Sequence, residues 1–152
     1  MALPRVILPK LLVKPVGRAI SDFGMIKEGD KILLAVSGGK DSLSLFHLLR
    51  HFQRHAPIKF DLGVVTIDPQ VEGFEPQALE VFFKKFDTPY FFEEFPILEQ
   101  AKESMKGDSY CSFCARIKRG LMYKIARLEG YNVLALGQHL DDLSESLMMS
   151  MC

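Results

Sequence analysis

Lys31-Ile32-Leu33-Leu34-Ala35-Val36 runs directly into Ser37-Gly38-Gly39-Lys40-Asp41-Ser42. Ile32 to Val36 is short, apolar and without alternation, the pattern of a strand buried on both faces of a parallel sheet. The Ser-Gly-Gly turn ends it, and Leu45, Leu48, Leu49 and Phe52 then recur at helical spacing. This order puts the turn where a strand's carboxyl end meets a helix N-terminus, an anion site in open α/β sheets. Two glycines let the backbone come close to a phosphate. The hydroxyls of Ser37 and Ser42 can donate to phosphate oxygens, and Lys40 adds a point charge. The spacing is not that of G-x-x-x-x-G-K-[ST], so a Walker A wrap is excluded. The plainer alternative is an ordinary turn in which Asp41 or Ser42 caps the helix. A strand before the turn and a helix after it count against that alternative.

Working outward, the same alternation continues. Pro15 is placed to open a short helix with Val16, Ile20 and Phe23 on its apolar side and Gly24 as its stop. Phe60 to Asp68 reads as a second strand, Pro76 to Phe86 as a helix, and Tyr90-Phe91-Phe92 as the start of a third strand. Ile117, Leu121, Ile125 and Leu128 mark the apolar side of a helix ending at Gly130, and Asn132 to Leu136 is a fourth strand. Strands alternating with helices predict an α/β fold, a doubly wound and mainly parallel sheet with helices on both faces. Residues 1–30 are expected to be a basic helical segment and 31–152 a nucleotide-binding domain. The stretch 141–152 reads as a helix without a C-cap, so the chain is expected to be a C-terminal truncation.

At 152 residues the chain is expected to be one domain with a real core. Its 48% hydrophobic and 25% charged residues exclude a disordered protein. No apolar run is long enough to span a bilayer, and Met1-Ala2-Leu3-Pro4-Arg5 does not begin a secretory signal. Three cysteines, two of them in a C-x-x-C, are no secreted disulfide framework, and a cytoplasmic protein is expected. The net charge of +0 announces no nucleic-acid partner, but its distribution is uneven. Arg5, Lys10, Lys14 and Arg18 form one acid-free segment, and residues 115 to 127 form another. Either could be a phosphate-binding face or a solvated helix side.

Cys111-Ser112-Phe113-Cys114 precedes the second basic segment. This spacing lets two thiolates reach one metal or cluster, and a helix N-terminus lowers their pKa. A metal or iron–sulfur site, a redox dithiol and two inert thiols are all compatible with it. One pair cannot close a tetrahedral site, and Cys152 is read as an incidental thiol. Arg116, Arg119, Tyr123 and Arg127 fall at i, i+3, i+7 and i+11, a stripe suited to an RNA backbone or simply to solvent. Gly137-Gln138-His139-Leu140-Asp141-Asp142 follows the fourth strand and is expected to share the edge of the Ser37–Ser42 loop. Its carboxylates could hold Mg²⁺ or cap the next helix.

SGGKDS after a strand resembles the PP-loop of the ATP-pyrophosphatase superfamily, whose members split ATP between its α- and β-phosphates and adenylate a substrate oxygen. CSFCARIKRG and SGGKDS together resemble the tRNA 2-thiocytidine synthetase family over nearly the whole chain. That resemblance implies ATP-dependent tRNA thiolation: a base oxygen, that of cytidine, is adenylated, pyrophosphate leaves, and sulfur displaces AMP. It implies ATP, Mg²⁺ and a [4Fe-4S] cluster held by Cys111, Cys114 and a third cysteine beyond residue 152. Ser37, Gly38, Gly39, Lys40, Asp41 and Ser42 would hold phosphates, Asp41 with a catalytic part alongside the two cysteines. Asp68 would mark the adenine site, and Gly137, His139 and Asp142 would complete the nucleotide contacts, with Asp141 on Mg²⁺. Gln138 stands where a G-H-x-x-D-D element has histidine. Implied partners are tRNA, along the Arg116 stripe, and a sulfur-donor protein; a homodimer is left open, and no membrane is expected. Rival readings are an amidating PP-loop tRNA ligase, for which the C-x-x-C is unnecessary, and a non-catalytic nucleotide- or RNA-binding fragment.

Overall fold

In a computed structural model the described residues are 6–68, 70, 73–96 and 110–137, the side chains of 110–112 excepted. Helix α1 spans Lys10–Asp22, β1 Lys31–Ala35, α2 Lys40–His55, β2 Asp61–Asp68 and α3 Pro76–Lys85. Strand β3 spans Tyr90–Glu94, α4 Tyr110–Glu129 and β4 Val133–Leu136. The strands pair in the order β3-β2-β1-β4, all parallel, with Leu33 level with Gly63 and Leu134.

Right-handed crossovers decide which face each helix covers. β1 to β2 and β2 to β3 step in one direction, so α2 and α3 share a face. The return from β3 past β1 to β4 carries α4 to the other. Alternate residues of the buried strands accordingly feed two cores. Ile32, Leu34, Leu62 and Val64 pack with Phe46, Leu49, Phe83 and Phe86 on the α2–α3 side. Leu33, Ala35, Val65 and Ile67 pack with Ile125 and Ala126 on the α4 side. Phe46 is fully buried and meets Phe83 and Phe86 edge-on, with ring centroids 4.9 and 5.4 Å away.

Two sequence readings of helices need correction. Pro15 does not open α1 but lies inside it; Pro9 is the N-cap, and its carbonyl accepts from the N–H groups of Leu12 (2.9 Å) and Val13 (3.2 Å). Pro15 removes the donor to the Leu11 carbonyl, and α1 has no fully buried residue, so water can satisfy that group. The stop at Gly24 agrees: Met25 N–H reaches Ile20 C=O at 3.0 Å, the six-to-one bond of a Schellman closure. In α4, Leu128 is 73% exposed, and Leu121, Met122, Ile125 and Ala126 make the packed side instead. Small Ala126 lets the helix settle closer to the sheet than a Leu128-centred face would.

The amino edge of the sheet is tied by one asparagine. Asn132 Oδ1 accepts from Lys31 N–H (2.7 Å), its Nδ2 donates to Asp30 Oδ1 (2.9 Å), and its own N–H donates to Lys31 C=O (3.0 Å). Gly63 serves a second joint, because any β-carbon there would collide with the Tyr131 ring. Both joints hold β4 against its neighbours at the end of α4.

Candidate active site

The loop after β1 leaves the sheet on a fixed path. Val36 N–H donates to Val65 C=O (2.9 Å), and Val36 C=O accepts the buried Thr66 hydroxyl (2.9 Å). Both partners belong to β2, so the last peptide before the turn is held in the plane of the sheet. Gly38 then takes φ +86°, a left-handed conformation costly for residues with a β-carbon. Gly39 is the N-cap of α2 without a side-chain cap, and the first intrahelical bond is Leu43 N–H to Gly39 C=O at 3.2 Å. The N–H groups at the start of α2 precede that bond, and the helix dipole adds positive potential beside the loop.

Ser37, Gly38, Gly39 and Lys40 are exposed, Asp41 is half-buried and Ser42 is buried. The capping alternative for Asp41 or Ser42 does not hold, since Gly39 occupies the N-cap. Ser42 Oγ donates to Gly39 C=O (3.0 Å), so its proton is committed to the turn rather than presented outward. Asp41 is the acid in the first turn of α2, where a carboxylate also favours the helix.

Gly137 joins the second loop to the first. A β-carbon there would lie 3.0 Å from Ser42 Cα and 3.1 Å from Ser42 N. The chain leaving β4 therefore packs against the backbone of α2's first turn, at the same edge of the sheet. Glycine is needed there for the close approach of α2. Gly137→Ala will force the two loops apart and weaken ATP binding about tenfold, or ~1.4 kcal/mol; titration with a fluorescent ATP analogue measures it, and unchanged affinity would show that the loops need not touch. Gln138, His139, Asp141, Asp142 and Cys152 lie outside the described residues.

Asp68 ends β2, next to β1 at the same edge. It is 9% exposed, and its Oδ1 accepts from Gln70 N–H (2.7 Å), closing a turn in which Gln70 takes φ +56°. Thr66 is the residue that sequence reasoning missed. Its only signal was a hydroxyl inside an otherwise apolar strand.

The cysteine pair is not followed by a helix N-terminus but lies in the first turns of α4, which begins at Tyr110. Cys111 and Cys114 are thus i, i+3 on one helix, a spacing at which side chains are neighbours. Cys114 is half-buried and free. Tyr131 N–H returns to Ala126 C=O (2.8 Å) and Asn132 N–H to Lys31 C=O (3.0 Å), so the C-terminus of α4 lies at the amino edge. Its N-terminus must therefore lie towards the carboxyl edge. Twenty residues make α4 about 30 Å long against about 17 Å for β1. The cysteines are consequently carried to the level of the phosphate loop or past it, on the opposite face from α2. Among the described residues no three His, Cys, Asp or Glu gather as a metal site. Arg116, Arg119, Tyr123 and Arg127 are all exposed, on the side of α4 opposite Ile125.

The profile of the PP-loop domain family matches residues 12–152. The chain belongs to the PP-loop domain family. The chain is 46% identical over 136 residues to a tRNA-cytidine(32) 2-sulfurtransferase of Geobacter metallireducens, covering 89% of this chain and 53% of the relative. It is 43% identical over 142 residues to the enzyme of the same name from Geobacter sulfurreducens, covering 93% and 55%. The chain therefore spans about half the length of these curated relatives. Among solved structures, the U34-tRNA thiolase NcsA from Methanococcus maripaludis with its [4Fe-4S] cluster superposes with TM-score 0.73 at 26% identity, over 91% of this PP-loop chain and 48% of the thiolase. An NH3-dependent NAD synthetase from Campylobacter jejuni shares the fold at TM-score 0.58 and 17% identity, over 88% and 56%. No helix among the described residues is long and apolar enough to cross a membrane.

Proposed function

We propose that this PP-loop protein is an ATP-dependent tRNA thiolation enzyme acting on cytidine, in the cytoplasm. The single observation that carries the reading is the meeting of the loops after β1 and β4 at Gly137, on the edge towards which α4 brings Cys111 and Cys114. ATP cleavage needs the first feature; sulfur chemistry needs the second. Relatives named as tRNA sulfurtransferases support combining them.

In this reading Ser37 to Ser42 hold the β- and γ-phosphates, with Asp41 placed to act at the leaving pyrophosphate. Asp68, Gly137, His139 and Asp142 complete the nucleotide contacts, and Asp141 takes Mg²⁺, which would neutralise charge on that leaving group. The base oxygen attacks the α-phosphorus, the bond to the β-phosphate oxygen breaks, and AMP later leaves as sulfur adds to the base carbon. Two thiols at i, i+3 can share a metal, and the resemblance to the tRNA 2-thiocytidine synthetase family, with the [4Fe-4S] cluster of the similar thiolase, supports reading Cys111 and Cys114 as two ligands of such a cluster. When bound, that group would supply the site at which sulfur is held for transfer. The remaining ligand, a sulfur-donor protein and a homodimer are parts of the same proposal, as is the division at residue 30.

The test is ATP-dependent release of pyrophosphate in the presence of tRNA, followed by mass spectrometry of its nucleosides. No pyrophosphate release would remove the enzyme reading; release without a thiolated cytidine would remove only the sulfur step. The stripe on α4 makes a separate prediction. Charge reversal at Arg116 and Arg119 will weaken tRNA binding about tenfold and flatten its salt dependence, since fewer counterions are released. Filter binding across a salt series measures both quantities, and an unchanged slope would leave the stripe as ordinary surface.

A further inference from the structure

The outer side of α2 carries charge that the nucleotide site does not use. From Ser42 to Phe60 there is no Asp or Glu, and three of the chain's four histidines, His47, His51 and His55, fall there at steps of four. Residues at that spacing share a helix face and rise about 6 Å per step. Arg50 and Arg54 flank them. These five side chains line an open groove of about 420 Å³ together with residues 6–8 and Phe86.

The groups in this groove oppose one another. Burial lowers the pKa of His47, and the Arg50 charge adds to the effect. Burial also lowers that of His51, with His55 adding to it. For Arg50 burial comes first and Arg54 second, against which Asp87, just beyond α3, pulls the other way. Among the described residues, what else lines the groove or meets the histidine rings is uncharged: Phe82 of α3, Phe86 just after it, and Val6, Ile7 and Leu8 of the N-terminal segment. The helix dipole explains Arg54 and His55 in the last turn. It does not explain His47, Arg50 and His51, which lie upstream of that turn. Such a row is relieved by an anion.

We infer that this face of α2 is a second contact for the phosphate backbone of RNA, on the opposite side of the sheet from the α4 stripe. The inference rests on the tRNA reading and extends it. His47 to His55 span about 12 Å of helix axis, more than one phosphate covers. A metal fits less well. The Arg50 and Arg54 guanidiniums in the same groove repel a cation, and among the described residues no three His, Cys, Asp or Glu gather as a metal site. Arg50 already lies 5.8 Å over the Phe86 ring, which holds its guanidinium in the groove.

Protonation gives the face a signature. Histidines whose pKa is depressed in the free protein take up protons when phosphate binds, so affinity for RNA rises as pH falls from 8 to 6. Helix α4 contains no histidine and cannot produce this dependence. The experiment measures binding of an unmodified tRNA transcript to the whole chain across salt and pH, with a fluorescent ATP analogue as a control for folding. Arg54→Glu/His55→Gln is expected to weaken tRNA binding about tenfold, reduce the salt slope by about one to two and blunt the pH response, with ATP affinity kept. His51→Arg/His55→Arg keeps the charge at all pH values and should bind at pH 8 as the wild type does at pH 6. Unchanged affinity, slope and pH response in both variants would overturn the inference and leave the tRNA reading standing. With Mg²⁺ kept in excess, a loss of tRNA binding on adding a zinc-selective chelator that disappears in His51→Arg/His55→Arg would assign the histidines to a metal and overturn it as well. Failure of the wild type to bind tRNA while it binds ATP would overturn both readings together.

Discussion

Changing Cys111 and Cys114 together to serine will cut sulfur transfer to tRNA by roughly 100-fold or more, because a hydroxyl cannot replace a thiolate as a soft ligand. ATP binding should stay within about twofold, since a 1.4 kcal/mol change is needed for a tenfold one and the phosphate loop belongs to β1 and α2 on the other face. Serine is close to cysteine in size and does not break a helix, so α4 should persist. Thiolated nucleoside in hydrolysed tRNA and iron content after anaerobic preparation are the two readouts. Full thiolation by the double variant would end the proposed role of the pair. Loss of ATP binding would mean instead that the start of α4 supports the nucleotide edge directly.

Phe46→Ala should cost about 3–5 kcal/mol of folding stability, the range for removing a fully buried aromatic ring. That is a large part of the roughly 5–15 kcal/mol that holds an ordinary domain together. Phe46 is completely buried, and its ring joins α2 to Phe82, Phe83 and Phe86 on and just after α3. Losing it leaves a cavity between the two helices that close this face of the sheet. The phosphate loop runs into the first turn of α2, so ATP, where its affinity is kept, should raise the variant's stability against urea by the same increment as the wild type's. Phe92→Ala is the control: that ring is 36% exposed, and its removal should cost well under the Phe46 value. Equal urea midpoints for the two variants would contradict the packing described here.

The strand order shows why these effects fall where they do. Strands β1 and β4 are neighbours although the chain visits β2 and β3 between them. Their following loops therefore meet at the point where strand order reverses, the ordinary position of a ligand in such sheets. Thr66 acts at this point without belonging to any motif, and Gly137 acts there as the first residue of the second loop. One fixes how β1 ends, the other how closely the next loop approaches.

What the sequence by itself determined was periodicity and local chemistry. Ile32 to Val36 read as a buried strand because each side chain is apolar, and the helix after Gly39 because Leu45, Leu48, Leu49 and Phe52 share a face. Two parallel strand ends followed by glycine turns were enough to expect one shared edge. Only tertiary structure decided the partners of these groups. Pro15 could remain inside α1 because that helix is largely solvated, a fact that local propensity does not contain. Leu128 reads as core at helical spacing yet lies outside, because Ala126 and Met122 turn α4 towards the sheet. The C-x-x-C motif read as lying before a helix N-terminus falls within α4 instead. Gly63 and Gly137 look alike as letters, but one admits the Tyr131 ring and the other the backbone of α2. Periodicity is a property of neighbours along the chain, whereas close approach is a property of neighbours in space.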